Sequence, residues 1–131
     1  MTLVLDTSIL IDIERRKSST IEELRKLKDA YPLPATITFI TRFEFLLGIQ
    51  ERNPQNKEKA IVGLNEFRVL HTTNKTARLL STLKYKYDQK GIALPLADLL
   101  IASLTMEHNQ ILVTKDHDFK NIEELRTIII E

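Results

Sequence analysis

The sequence predicts an α/β fold, a three-layer α/β/α sandwich in which helices cover both faces of a short parallel sheet. Segments with a helical repeat of apolar residues alternate with short strand-like runs along the whole chain, which is the order typical of parallel sheets. Two of these runs, Leu3–Leu5 and Ile111–Val113, are apolar throughout, as strands covered on both faces are. A length of 131 residues, with 43% apolar and 28% charged residues, fits one globular domain, which we place at residues 1–131.

The first half of the chain is predicted to contain three strands and four helices. Leu3–Leu5 is the first strand, and Thr7 and Ser8 are expected to cap the helix that follows it. Capping-box patterns, in which a hydroxyl residue is followed three positions later by an acid, predict helix starts at Thr20 and Thr41. The remaining elements are a β-branched second strand at 35–40, a helix after the interruption at Pro54, and a third strand at 68–70.

The second half is predicted to contain two helices and two strands. A long helix from Asn74 is expected to end at Gly91, because glycine is the residue most often found just beyond a helix C-terminus. Pro95 precedes a strongly apolar helix. We place that helix at 96–108, a strand at 111–114, a loop or short helix at 116–124, and a final strand at 127–130.

Composition excludes several classes of protein. The chain contains no cysteine, which excludes disulfides, thiolate zinc sites and cysteine nucleophiles. Its formal net charge is +1, whereas domains that bind nucleic acid through bulk charge are usually far more basic, so any RNA contact has to be local or to use metal ions. The N-terminus lacks the pattern of a signal peptide and no apolar run approaches the length of a membrane span, so we expect a cytoplasmic protein without membrane contact.

Four carboxylates follow predicted strands or begin predicted helices: Asp6, Glu44, Asp98 and Asp116. Because ligands of open α/β sheets bind beyond the carboxyl ends of the strands, all four can face one cleft. A cluster of like charges requires neutralisation, and carboxylate oxygens without soft ligands favour Mg²⁺ or Mn²⁺. Such ions activate water and stabilise in-line phosphoryl displacement. The pattern therefore predicts a divalent-metal site suited to phosphoryl displacement on an anionic substrate.

Each acid also has a purely structural interpretation. Asp6 can cap the first helix, and Glu44 occupies the third position of a capping box, which for that residue alone is the better interpretation. Asp98 can complement a helix dipole, although it lies among apolar neighbours, and Asp116 and Asp118 can be ordinary loop residues. The functional hypothesis depends on the sheet bringing the four acids together.

The four segments that carry these acids resemble the motifs of a known family, and they occur in its order along almost the whole chain. They are 3–8 with Asp6, 37–48 with Glu44 and Gly48, 91–102 with Asp98, and 112–119 with Thr114 and Asp116. The family that they resemble is that of the PIN-domain ribonucleases, and within it the VapC-type toxins of bacterial and archaeal toxin–antitoxin pairs.

The resemblance implies an α/β/α sandwich, dependence on Mg²⁺ or Mn²⁺, and cleavage of RNA that leaves a 5′-phosphate. It also implies a homodimer and a protein antitoxin as partner. Asp6, Asp98 and Asp116 are expected to ligate the metal directly, while Glu44 either ligates it or orients the attacking water. Asp118 is either a fifth ligand or a group behind the ligands.

Four further residues are candidates for supporting roles. Thr7 and Thr114 are expected to donate hydrogen bonds that fix the carboxylates, with simple cap or strand roles as the alternative. Arg42 and Lys115 each stand beside a proposed ligand and are candidates for phosphate contacts.

Three other functions compete with the nuclease hypothesis. The first is an RNA- or metal-binding module without turnover, against which four intact acids argue. The second is a receiver-type signalling domain, which would require paired acids after the first strand and a phosphoacceptor Asp after a middle strand; here Asp6 stands alone and the middle strand leads to His71. The third is a metal-independent ribonuclease using histidine pairs, but no two of the three histidines follow matching strands.

Overall fold

Five parallel strands form one sheet in the computed structural model, which describes residues 1–131. The strands are β1 (Leu3–Leu5), β2 (Thr36–Thr38), β3 (Arg68–Leu70), β4 (Ile111–Thr114) and β5 (Thr127–Ile129). Their order across the sheet is β3-β2-β1-β4-β5, so β1 is central. The predicted parallel α/β sheet is confirmed.

Six helices connect the strands: α1 (Thr7–Glu14), α2 (Ser18–Leu27), α3 (Phe39–Gly48), α4 (Pro54–Leu64), α5 (Asn74–Gln89) and α6 (Leu96–Glu107). A short 3₁₀ helix, His117–Asn121, follows β4. Gly91 adopts a left-handed φ of 70° just beyond α5, which is the conformation that glycine permits and that ends a helix. No helix is both long enough and apolar enough to cross a membrane.

The sheet separates two hydrophobic cores, and this makes the fold a three-layer sandwich. Along β1, Leu3 and Leu5 face a core that includes residues of α1, α3 and α4, while Val4 faces a second core formed with α5 and α6. In β4, Leu112 lies in that second core and its neighbours in the first. Side chains of successive strand residues point to opposite faces, so both strands must be apolar throughout.

The strand order places a cleft beside β1. From β1 the chain builds outward through β2 and β3 on one side, and then returns to add β4 and β5 on the other side. In open α/β sheets the crevice at such a reversal, beyond the carboxyl ends of the strands, is where ligands bind. Asp6 follows β1 and Asp116 follows β4, so both acids lie at the carboxyl ends of the two strands that flank this reversal.

Three helices are capped by residues other than the predicted ones, and the predicted hydroxyl groups form hydrogen bonds with other residues. Helix α3 begins at Phe39, since Thr38 is its N-cap and accepts a hydrogen bond from the Thr41 amide at 3.2 Å. The predicted second strand at 35–40 is therefore too long. Glu44 falls in the second turn of α3, and its interpretation as a capping-box residue is wrong.

The starts of α1 and α2 also differ from prediction. Asp6, and neither Thr7 nor Ser8, is the N-cap residue of α1, and its side chain makes no capping hydrogen bond. Helix α2 begins at Ser18, two residues before the predicted cap Thr20, whose buried hydroxyl binds a carboxylate on α1 instead. Pro54 is the first residue of α4, where its missing N–H is no loss.

Candidate active site

Asp6 joins the central strand β1 to its neighbour β4 at their carboxyl ends. It is 6% exposed, and its backbone N–H donates to the Val113 carbonyl at 2.9 Å. Its Oδ2 accepts hydrogen bonds from the hydroxyls of Thr114 at 2.7 Å and Ser8 at 3.2 Å. Burial is the largest influence on its pKa and, with repulsion from Asp116, raises that pKa despite these hydrogen bonds.

Thr114 also sets the start of the loop that carries Asp116. Its Oγ1 accepts a hydrogen bond from the Asp116 amide at 3.0 Å while donating to Asp6. Oδ1 of Asp116 in turn accepts a hydrogen bond from the Asp118 amide at 2.9 Å, and this bond caps the start of the short 3₁₀ helix. Asp116 and Asp118 are both exposed. One buried hydroxyl therefore connects the acid at the end of β1 to the acid after β4.

Glu44 reaches the site from α3 and is held by a residue of α1. Its Oε1 accepts a hydrogen bond from the Thr7 hydroxyl at 2.6 Å, and that hydroxyl lies 3.1 Å from the hydroxyl of Thr41. Thr41 is fully buried, while Glu44 is half-buried. The first turn of α1 thus supplies support for two acids, Asp6 through Ser8 and Glu44 through Thr7.

The surroundings of Asp98 give the clearest evidence that the acids lie near one another. Asp98 lies in the first turn of α6, is half-buried, and accepts no hydrogen bond from another side chain. Burial, followed by repulsion from Asp116, Asp6, Glu44 and Asp118, raises its pKa to about 6. The fold therefore brings the other three predicted acids, and Asp118, within electrostatic reach of Asp98.

No positive side chain compensates the cluster. None of its carboxylates has a Lys, Arg or His nitrogen within 4.0 Å. Arg42 is half-buried and makes no ion pair, so it remains a candidate for a phosphate contact. Lys115, the other predicted phosphate contact, instead binds Asp12 through Nζ at 2.9 Å, because that buried carboxylate requires a partner.

The donor set fits a hard divalent cation in chemistry and charge. Every donor is a carboxylate oxygen, and Glu44 Oε2, Asp116 Oδ2 and both oxygens of Asp98 accept no hydrogen bond from the protein. The oxygens are not pre-arranged at ligating distances, since no group of three acidic or histidine side chains surrounds a common point that could hold an ion. Binding therefore requires these side chains to adjust.

Asp12, Ser8 and Thr41 belong to the surroundings of the site but were missed by sequence reasoning. Asp12 had a detectable signal, because it interrupts the apolar run Ile9 to Ile13 as Asp98 interrupts its own apolar helix. Burial of a lone acid in such a run is costly unless a partner exists. Nothing in the sequence distinguishes Ser8 or Thr41 from other hydroxyl residues near helix starts.

Comparison with known proteins identifies relatives along the whole chain. Residues 3–125 match the family model of the PIN domain. Ribonuclease VapC1 of Rickettsia felis is 31% identical over 140 residues, which cover 99% of this chain and 97% of the relative. Ribonuclease VapC of Rickettsia bellii is 30% identical over 136 residues, with the same two coverages of 99% and 97%.

Solved structures share the fold over the full length. VapBC2 from Rickettsia felis, bound to a DNA fragment from its promoter, superposes with a TM-score of 0.86 at 25% identity, covering 100% of both chains. DNA-bound VapBC from Salmonella typhimurium superposes with a TM-score of 0.84 at 21% identity, covering 100% of this chain and 99% of that one.

Proposed function

The chain belongs to the PIN domain family, among the VapC ribonucleases, and we propose that its four-carboxylate cluster is the active centre of a Mg²⁺- or Mn²⁺-dependent endoribonuclease. The observation that carries the proposal is the uncompensated charge around Asp98. A half-buried carboxyl whose pKa is raised to about 6 by burial and by four neighbouring acids is poised to bind a cation.

Each residue has a proposed role in the hydrolysis. Asp6, Asp98 and Asp116 hold the metal, which when bound lowers the pKa of water and offsets the charge of the phosphate. Thr114 keeps Oδ2 of Asp6 in place, and Thr7 fixes one oxygen of Glu44. The other oxygen, Oε2, carries no hydrogen bond and is the acceptor available to orient the attacking water. Asp118 supports Asp116 or becomes a fifth ligand.

The products follow from the direction of attack. Water oxygen bonds to phosphorus, the bond from phosphorus to the 3′ oxygen breaks, and the products are a 3′-hydroxyl and a 5′-phosphate. Arg42, the unpaired cation beside the site in sequence, is the proposed contact with the RNA backbone. With a net charge of +1, the chain relies on this local contact and on the metal to attract RNA.

The proposed protein partner is an antitoxin encoded beside this chain. Solved structures with this fold include a toxin–antitoxin complex from Klebsiella pneumoniae and a member of the VapBC family of toxin–antitoxin systems from Mycobacterium tuberculosis. In this chain a cavity of about 720 Å³ lies between α1, α3 and α4. Its lining includes apolar Leu10, Phe45 and Phe67 together with the Glu14–Arg52 ion pair, which suits a largely apolar segment of the partner.

A homodimer is the proposed state of the free protein. Helix α3 exposes Phe39, Phe43 and Leu47, which are 46%, 53% and 61% accessible. Their spacing of four places them along one face of the helix. A contiguous exposed apolar stripe of this kind is typical of an interface, and we assign it to a second copy of this chain. Light scattering of the purified protein, with Phe43→Lys as a disrupting variant, tests the assignment.

Cleavage of total RNA by the purified protein tests the enzyme itself. We expect cutting with Mn²⁺, none in EDTA, and none by Asp98→Asn, with 5′-phosphates at the mapped sites. Binding of RNA without cutting would favour the non-catalytic module. A mass increase after incubation with a small phosphodonor would favour a receiver domain, and cutting that persists in EDTA would favour a histidine mechanism.

A further inference from the structure

The buried carboxylate of Asp12 is not among the proposed metal ligands, yet it lies beside the site. Asp12 is on α1 and is 9% exposed. Its Oδ2 accepts hydrogen bonds from the Thr20 hydroxyl at 2.6 Å and from Nζ of Lys115 at 2.9 Å. A carboxylate at this depth is destabilising unless it is paired, and the ammonium of Lys115 is its one cationic partner within 4.0 Å, while Lys17 contributes a further positive charge nearby.

Lys115 belongs to the segment that builds the site. It stands between Thr114 and Asp116, and its backbone N–H donates to Oγ of Ser8 at 3.3 Å. The Ser8 hydroxyl in turn donates to Asp6 at 3.2 Å. One hydroxyl therefore separates the main chain of Lys115 from the most buried acid of the cluster. A lysine side chain is long and flexible, and Lys115 is adjacent to Asp116 in the sequence, so an ammonium released from Asp12 has an acid of the cluster as its neighbour along the chain.

The observed pairing is selective. Lys115 is next to Asp116 in the sequence, yet its only acidic partner within 4.0 Å is Asp12. An ammonium that turned instead towards the cluster would neutralise the charge that attracts a divalent cation, and it would occupy the same oxygens. Asp12 competes with the cluster for this lysine.

We propose that Asp12 is a positioning residue that acts through Lys115: the ion pair keeps the ammonium out of the four-carboxylate cluster and so reserves those oxygens for the metal. The inference rests on the metal-dependent function proposed above. It assigns Asp12 no contact with metal or RNA, and it predicts that the damage caused by losing Asp12 depends on the presence of Lys115.

Asp12→Asn tests this, because it keeps the side-chain shape and an acceptor for Thr20 while removing the charge. Calorimetric titration of the metal-free protein with Mn²⁺ near neutral pH measures affinity without any assay of cleavage. We expect Asp12→Asn to bind Mn²⁺ at least about tenfold more weakly than the wild type does. The double variant Asp12→Asn/Lys115→Gln is expected to return to within about twofold of the wild type, since no ammonium remains to enter the cluster.

Two further variants complete the design. Lys115→Gln alone is expected to bind Mn²⁺ at least as tightly as the wild type. Glu14→Gln is the matched control, because Glu14 also lies on α1 and the substitution removes its ion pair with Arg52. We expect this variant to bind Mn²⁺ with unchanged affinity. Circular dichroism verifies folding, and Asp12→Ser replaces Asp12→Asn if the latter does not fold.

The outcomes separate this inference from the proposed function. Unchanged affinity in Asp12→Asn overturns the inference, as does a double variant that stays as weak as the single one, because Asp12 would then only support the fold. If the wild type itself binds no Mn²⁺, the metal-dependent function fails and the inference fails with it. Normal binding by the wild type together with an unchanged Asp12→Asn rejects the inference alone.

Discussion

The hydroxyl of Thr114 donates a hydrogen bond to Oδ2 of Asp6 at 2.7 Å, across a sequence separation of 108 residues. The same hydroxyl oxygen accepts the amide of Asp116 at 3.0 Å. Two acids on different elements are therefore aligned by one buried side chain, whose position is fixed by the pairing of β1 with β4. A hydroxyl so placed decides the geometry of the acids without being a ligand.

Thr114→Val is expected to reduce cleavage by about 10- to 100-fold while the fold persists, because the isosteric side chain fills the same space but neither donates nor accepts. Loss of the hydrogen bond to a buried carboxylate is expected to lower the free energy of unfolding by about 1–3 kcal/mol. Cleavage kinetics with Mn²⁺ and urea unfolding measure the two effects. Thr127→Val on β5, where the hydroxyl makes no hydrogen bond, is the control, and equal losses in both variants would refute the role of Thr114.

Asp98→Asn is expected to abolish cleavage and to stabilise the metal-free protein above about pH 6. Below the ordinary pKa of 3.8 the carboxyl is protonated in both the folded and unfolded states. Between 3.8 and about 6 the folded protein binds more protons, so the contribution of Asp98 to stability falls as pH rises and is lost above this window. The gain on substitution is about 1 kcal/mol, after allowance for solvent screening of a half-exposed group.

Thermal unfolding in EDTA across this pH range checks the prediction. The melting temperature of Asp98→Asn should exceed that of the wild type by an amount that grows from near pH 4 to above pH 6, because the pKa of Asp98 in the folded protein is about 6. Asp88→Asn is the matched control, because Asp88 is an exposed acid on α5 paired with Lys84. A less stable Asp98→Asn at alkaline pH would mean that the carboxylate serves the fold.

The sheet and the acids after its strands were predictable because burial on both faces leaves a strong local signal. The predicted bounds of the first strand, Leu3–Leu5, agree with the structure at both ends, since a continuous apolar run of this length that stops at an acid is typical of a buried strand. Because the strands are parallel, their carboxyl ends lie at the same edge of the sheet, and Asp6 and Asp116 are therefore expected to lie near each other. The prediction succeeded where a single local pattern decides the structure.

Where two residues offered the same local chemistry, the sequence did not decide. Thr38 and Thr41 can each cap α3, and tertiary packing selects Thr38 because Thr41 is buried beside Thr7. The pairing of Lys115 with Asp12, which are 103 positions apart, depends on how α1 packs beside β4. Such contacts leave no pattern in one sequence, and the phosphate contact predicted for Lys115 depends only on its place beside Asp116.

Arg42→Gln is expected to raise KM for RNA several-fold while Mn²⁺ affinity stays unchanged, because a half-buried arginine without an acidic partner is available for phosphate. Loss of one phosphate contact should also reduce the slope of log affinity against log salt concentration by about 1. Fluorescence anisotropy with a short RNA across a range of salt concentrations measures this. Exposed Arg78 on α5 provides the control for the change in net charge through Arg78→Gln, and an equal change of slope in both variants argues against a specific contact.

Mn²⁺ is expected to raise the melting temperature of the wild type and to leave that of Asp98→Asn nearly unchanged, because the ion relieves the repulsion among the carboxylates only when the full set is present. At a concentration 100 times Kd the stabilisation is about 2.7 kcal/mol, which for a chain of this length corresponds to several degrees. The shift should shrink below about pH 6, where a proton competes with the ion at Asp98. Equal shifts for both proteins would place the bound ion somewhere other than this cluster.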